Sequence, residues 1–113
     1  MYKKVAILGS GSWATALAKM VMHNQAEINW FIRRQEAIDE FIATGKNPTY
    51  LGMASFDVGR IHFSSDINQT VAQSDVLILA IPSPYIKKTL NKIRRDMRHK
   101  IVINAVKGMM PDD

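Results

Sequence analysis

Val5-Ala6-Ile7-Leu8-Gly9-Ser10-Gly11-Ser12-Trp13-Ala14 decides the fold of this chain. Its first four residues form an unbroken apolar run, which suits a strand buried on both faces. Gly9 can make the tight turn out of that strand. Gly11 has no Cβ, so a pyrophosphate could approach its backbone closely. A helix starting near Ser12 would then present unpaired N–H groups and a positive dipole end to the anion. Ala14 takes the third position of the Gly-x-Gly-x-x-Gly pattern, where alanine is a permitted variant. Strand, glycine turn and helix in this order point to a bound dinucleotide.

Working outward, strand and helix alternate along the whole chain. Strands are expected at Lys3–Gly9, Ile28–Arg33, Ile61–Ser64, Asp75–Ile81 and Lys100–Val106. Between them, helices are expected at Ser12–His23 and Gln35–Thr44. A third, short helix is capped by Ser65 or Asp66 and ends near Gln73. Pro82 and Pro84 end the fourth strand, and Pro84 suits the first turn of a helix. That helix carries Ile86, Leu90, Ile93 and Met97 on one stripe, with basic residues opposite. Such alternation predicts an α/β fold, a parallel sheet covered on both faces. With right-handed crossovers it becomes a Rossmann-type doubly wound sheet of order 3-2-1-4-5. The segment 45–60, which includes Asn47-Pro48-Thr49-Tyr50-Leu51, has no clear period, and loops of this length are often functional.

Composition narrows the function classes. The 113 residues suffice for one compact domain, and 47% hydrophobic residues is ordinary for a globular fold. Cysteine is absent, which removes disulfides and thiolate metal sites. No apolar run approaches a membrane span, and the N-terminus reads as a first strand rather than a signal peptide. A cytoplasmic location is expected by elimination. The net charge of +5 gathers in Lys87, Lys88, Lys92, Arg94, Arg95, Arg98 and Lys100. Three readings suit this run: a solvated helix face, a surface that steers phosphorylated small molecules, or a nucleic-acid patch. The last lacks interleaved stacking aromatics, so no nucleic-acid or membrane partner is expected. His23, His62 and His99 show neither metal spacing nor a partner carboxylate, and no metal site is expected.

Several segments together resemble one family. Gly9-Ser10-Gly11-Ser12-Trp13-Ala14-Thr15-Ala16-Leu17-Ala18 resembles the opening of bacterial NAD(P)-dependent glycerol-3-phosphate dehydrogenases. Asn47-Pro48-Thr49-Tyr50-Leu51 resembles their Asn-x-x-Tyr-Leu loop. Ala80-Ile81-Pro82-Ser83 resembles their fourth strand ending, and Val106-Lys107-Gly108 their Lys-Gly after the fifth. Two departures stand: Ala14, where the family often has Gly, and Phe31-Ile32-Arg33-Arg34, a looser match to its Trp-Gly-Arg type. The resemblance implies NAD or NADP as cofactor and dihydroxyacetone phosphate and sn-glycerol 3-phosphate as substrate and product, feeding phospholipid synthesis. It also implies a following helical substrate domain that carries the main catalytic lysine. Residues 1–113 are therefore expected to be a truncated cofactor domain that binds dinucleotide without turnover. Any homodimer would form through the absent domain. Two alternatives remain: a non-catalytic dinucleotide sensor, and the cofactor domain of another hydroxy-acid-type dehydrogenase.

The candidate cofactor-binding residues are Gly9, Gly11, Ser12, Trp13, Arg33, Arg34, Tyr50, Pro82 and Lys107. Ser12 and Trp13 either contact the pyrophosphate or serve as an N-cap and a core side chain. At Arg33 and Arg34, an NAD-selective site would usually place Asp or Glu for the ribose 2′-OH. The first carboxylate here is Glu36, and a guanidinium can fork onto a 2′-phosphate. The bland alternative is two exposed arginines at a strand end. Tyr50 either closes over the nicotinamide side of the pocket or pins its own loop. The resemblance makes Lys107 a cofactor and substrate contact near the reacting carbonyl, where an ammonium could stabilise a developing alkoxide; otherwise it is a loop lysine.

Overall fold

The structure, a computed structural model, describes residues 3–48, 55–94 and 96–105. Tyr50 and Lys107, with the rest of 49–54 and 106–113, lie outside the described residues.

Five strands form one parallel sheet: β1 (Val5–Leu8), β2 (Ile28–Phe31), β3 (Ile61–Ser64), β4 (Val76–Leu79) and β5 (Ile101–Asn104). Their order is β3-β2-β1-β4-β5, as the alternation predicts. Ile7 faces Trp30 on one side and Ile78 on the other, which sets the register at the centre. Four helices connect the strands: α1 (Ser12–Val21), α2 (Gln35–Thr44), α3 (Ile67–Ala72) and α4 (Ser83–Leu90).

The two-residue period of a strand divides the core between the two faces. Val5, Ile7, Ile28, Trp30, Ile78 and Ala80 join a cluster with Ala14 and Ala18 of α1 and Ala37, Ile38 and Phe41 of α2. Ala6, Leu8, Phe31, Leu77 and Leu79 join a second cluster with Ile67 and Val71 of α3, against which Ile86 and Leu90 of α4 pack. Trp30 is fully buried and lies against Phe41, Phe56 and Phe63, with ring centroids 5.2, 5.5 and 6.0 Å away. The Asp66 carboxylate caps α3 by accepting the Asn68 and Gln69 amides, so Asp66 and not Ser65 is the cap. Gly45 ends α2 in the left-handed conformation, its N–H donating to the Phe41 carbonyl.

Two expectations are corrected. The fourth helix stops at Leu90 instead of running on to Met97. The Asn68 side chain accounts for this: its amide donates to the Lys92 carbonyl at 3.0 Å, and its carbonyl accepts the Arg94 N–H at 2.7 Å. Both backbone groups are thereby taken out of a helical ladder. Ile93 and Met97 still pack on the second cluster, from irregular chain. β5 is the other case: among the described residues it pairs with β4 alone, and Ile101, Val102 and Ile103 are 49%, 42% and 45% exposed, so the described residues do not cover this edge on both faces.

Gly9 is where strand geometry becomes site geometry. It leaves β1 with φ of +129°, a conformation that L side chains rarely adopt. A Cβ there would sit 2.3 Å from the Ala80 carbonyl oxygen, which belongs to rigid backbone just past β4. Gly9→Ala is therefore expected to cost about 3 kcal/mol, combining backbone strain with overpacking. Urea unfolding of the variant beside the parent would measure it.

Candidate functional site

The turn 9–11 is fastened from behind at every carbonyl. The Gly9 N–H donates to the Phe31 carbonyl at 3.2 Å. The Trp30 Nε1–H donates to the Gly9 carbonyl at 2.6 Å. Asn47 Nδ2 donates to the Ser10 carbonyl at 2.8 Å. The Gly11 carbonyl accepts both the Thr15 amide at 3.0 Å and the Thr15 hydroxyl at 2.8 Å. Three partial negative charges are thus held by protein donors. Gly11 occupies the N-cap of α1 with no side-chain cap, which corrects the reading of Ser12 as the cap: Ser12 is the first helical residue. The opening amides of a helix have no acceptor within it.

In front of the turn lies a pocket of about 730 Å³ at the carboxyl ends of β1 and β4, where the strand order reverses. Open α/β sheets bind ligands at this switch point. The floor consists of Gly9, Ser10, Gly11 and Ser12, and the end of β4 contributes Ala80, Ile81 and Pro82. Gly11 has an ordinary φ of −76°, and nothing lies within 4 Å of where its Cβ would stand. Neither its backbone nor its neighbours require glycine, and the empty space belongs to the pocket.

Trp13 also lines the pocket and belongs to neither core cluster, so the core reading of this side chain fails. Its indole N–H is closed off from solvent and has no acceptor among the described residues. A buried unpaired donor costs about 1–3 kcal/mol, which a polar group entering the pocket could relieve.

Charge in the pocket has one sign. Arg33 lines it from the end of β2, and Lys88 and Lys92 line it from α4 and the turn after it. Among the described residues, the lining contains no carboxylate. Arg34 stands apart: its guanidinium meets Glu36 at 2.9 Å on the surface, outside the lining. This contact, with the backbone amide at Glu36 as the larger cause, holds the Glu36 carboxyl below its usual range. Hence the arginine pair is split, one cation at the pocket and one at the start of α2. Sequence reasoning left Lys88 and Lys92 among three readings, a solvated face, a surface steering phosphorylated small molecules and a nucleic-acid patch, and did not place Tyr85 and Thr89 at the pocket, which they also line. The signal was available, since residues 85, 88, 89 and 92 share one side of a helix at the third, fourth and seventh positions.

Elsewhere, His62 was expected to lack a carboxylate partner, yet its Nε2 meets Glu27 Oε1 at 2.6 Å. The hydrogen bond first, and the imidazole charge second, hold the Glu27 carboxyl below its ordinary value. These residues sit beside the Asn29–Gln73 end of the sheet, away from the glycine turn. Among the described residues, no three His, Cys, Asp or Glu side chains gather as a metal would require, and no helix is long and apolar enough to cross a membrane.

Fold and crevice together define a dinucleotide-binding α/β unit of the Rossmann class. Residues 4–113 match the family described as NAD-dependent glycerol-3-phosphate dehydrogenase N-terminus, and the chain belongs to that family. It is similar to glycerol-3-phosphate dehydrogenase (NAD(P)+) of Oceanobacillus iheyensis, with 34% identity over 96% of this chain and 31% of the relative. The Bacillus pumilus protein of the same name is 31% identical over 97% of this chain and 32% of its own. The chain thus spans about a third of the curated relatives it matches. Among solved structures, a Plasmodium falciparum glycerol-3-phosphate dehydrogenase superposes with a TM-score of 0.76 at 28% identity, covering 88% of this chain and 31% of that one. The Saccharomyces cerevisiae enzyme, at 18% identity and a TM-score of 0.73 over 94% of this chain and 32% of its own, shares the fold.

Since only a ligand would meet a side chain at position 11, Gly11→Val is expected to leave the fold intact and weaken NADH and NADPH alike. The loss should be at least tenfold, about 1.4 kcal/mol. Calorimetric titration measures it, and an unchanged affinity would reduce the loop to an ordinary turn.

Proposed function

We propose that this chain is the NAD(P)-binding part of an oxidoreductase that reduces dihydroxyacetone phosphate to sn-glycerol 3-phosphate, a step toward phospholipids, in the cytoplasm. The observation that carries the cofactor half is the glycine turn. Its carbonyls are all engaged inside the protein, and it opens a pocket whose charged groups, among the described residues, are all cationic. A dinucleotide's pyrophosphate fits that arrangement: the α1 dipole and helix-opening amides favour an anion, and Gly11 leaves room for it. Family membership supports the substrate half.

When bound, the reduced nicotinamide supplies a hydride to the substrate carbonyl carbon. The residues of this chain bind and orient. Gly9, Gly11, Ser12 and Trp13 receive the pyrophosphate region, and Pro82 borders the crevice at the end of β4. Lys107 is assigned the place beside the reacting carbonyl, where its ammonium would stabilise the alkoxide until a proton reaches the oxygen. Tyr50 is assigned to the nicotinamide side. Arg33, which lines the pocket, would hold a 2′-phosphate, with Lys88 and Lys92 adding positive potential. This makes NADP the favoured cofactor.

Two measurements test the proposal. The protein expressed from its whole reading frame should oxidise NADPH when dihydroxyacetone phosphate is supplied, whereas residues 1–113 should bind the cofactor without turnover. No activity from the whole protein would remove the substrate assignment. Arg33→Ala should reduce the preference for NADPH over NADH at least tenfold, in line with about 1.5–3 kcal/mol for a charge-assisted contact. The effect should shrink as salt rises, because the contact is exposed. Arg34→Ala, already engaged with Glu36, should change the preference little. Equal losses for both cofactors at Arg33 would assign it to a shared part of the dinucleotide.

A further inference from the structure

Asn47 lies in the loop after α2, distant in sequence from the glycine turn, yet only 2% of it is exposed. A buried amide needs partners for its polar atoms. Its Nδ2 donates one hydrogen to the Ser10 carbonyl and the other to Thr15 Oγ1, both at 2.8 Å. The hydroxyl of Thr15, a residue 1% exposed, in turn donates a hydrogen bond to the Gly11 carbonyl at 2.8 Å. One side chain therefore holds two successive carbonyls of the turn, one directly and one through a hydroxyl. The Gly9 carbonyl is held separately by Trp30.

We propose that Asn47 is a positioning residue for the pyrophosphate, setting the shape of the turn without touching the ligand. The inference rests on the dinucleotide reading of the pocket. Its physical basis is the direction of the peptide dipoles. The peptide between Ser10 and Gly11 has its carbonyl at one end and its N–H at the other. Fixing the carbonyl on Asn47 fixes the opposite direction for the N–H, and both residues of this peptide line the pocket. Released, that peptide could rotate and present its oxygen to a phosphate, exchanging attraction for repulsion. A side chain here must donate twice from one atom, which selects the amide of Asn. Aspartate would place acceptors against the Ser10 carbonyl and the Thr15 hydroxyl oxygen.

The test titrates NADH and NADPH into the whole protein, the parent beside Asn47→Ala and Asn47→Asp. Affinity, binding stoichiometry and unfolding temperature are recorded for each. Kd should rise at least tenfold for Asn47→Ala and further for Asn47→Asp, by the same factor for both cofactors and at full stoichiometry. A purely structural role would instead lower the number of competent sites and leave the Kd of the remainder unchanged, which would overturn the inference. So would a change in the NADPH-to-NADH ratio. Should neither Asn47 variant fold, Thr15→Val decides: it keeps the volume and breaks the relay to Gly11, and should raise Kd for both cofactors. Unchanged affinity there refutes the clamp. A parent protein that binds neither cofactor would refute the dinucleotide reading itself, a separate outcome.

Discussion

Everything at the site depends on the hydrogen bond from the Trp30 indole to the Gly9 carbonyl, 2.6 Å long and made from a fully buried side chain. Trp30 is held on three sides by Phe41, Phe56 and Phe63, so its ring has nowhere to move without opening the core. Its N–H is the polar handle of an otherwise apolar group, and a buried indole nitrogen requires an acceptor. Satisfying it on Gly9 connects the rigidity of the aromatic cluster to the first peptide of the turn. The opposite side of Gly9 is closed by the Ala80 carbonyl, so β2 and β4 together determine where β1 must end.

Such fastening suits an exposed loop to the anion-binding role proposed for it. Binding that must first order a loop gives up part of its interaction energy to do so, and a pre-shaped turn avoids that loss. The apolar core supplies the shape through Trp30, and the buried polar residues Asn47 and Thr15 supply the peptide orientation. Lys19 extends the attachment: its ammonium lies 4.7 Å from the Phe56 ring centre and donates to the Ser55 carbonyl, joining α1 to the chain that returns from the loop.

Much of this was legible in the residues, for local reasons. Continuous apolar runs and a switch between two-residue and helical periods are properties of short windows, so all five strands and their order follow from them. What escaped is non-local. Asn68 shortens α4 through contacts 24 and 26 residues away, which no periodicity contains. Asn47 reaches back 37 residues to Ser10, and in the sequence it is one polar residue in an irregular loop. Lys88 and Lys92 were hidden differently. A helix with one apolar stripe has two flanks, and only the packed structure shows which flank borders the pocket. Arg33 and Arg34 are adjacent in sequence, yet α2 begins between their roles, with Arg34 as its N-cap and Arg33 left at the pocket.

The site thus separates two tasks. None of the hydrogen bonds that shape the turn involves Arg33, Lys88 or Lys92, and none of those cations is buried. Interactions without shared partners act nearly additively. In the proposed reading the turn would meet what all nicotinamide dinucleotides have in common, through fixed peptide dipoles. In the same reading the cations would act on what distinguishes one dinucleotide from another, through exposed charge that salt can screen. Selectivity can therefore be altered at the rim without disturbing the turn. A change behind the turn, at Trp30, Thr15 or Asn47, would alter affinity for every dinucleotide at once, because each of these residues holds one carbonyl of the same turn.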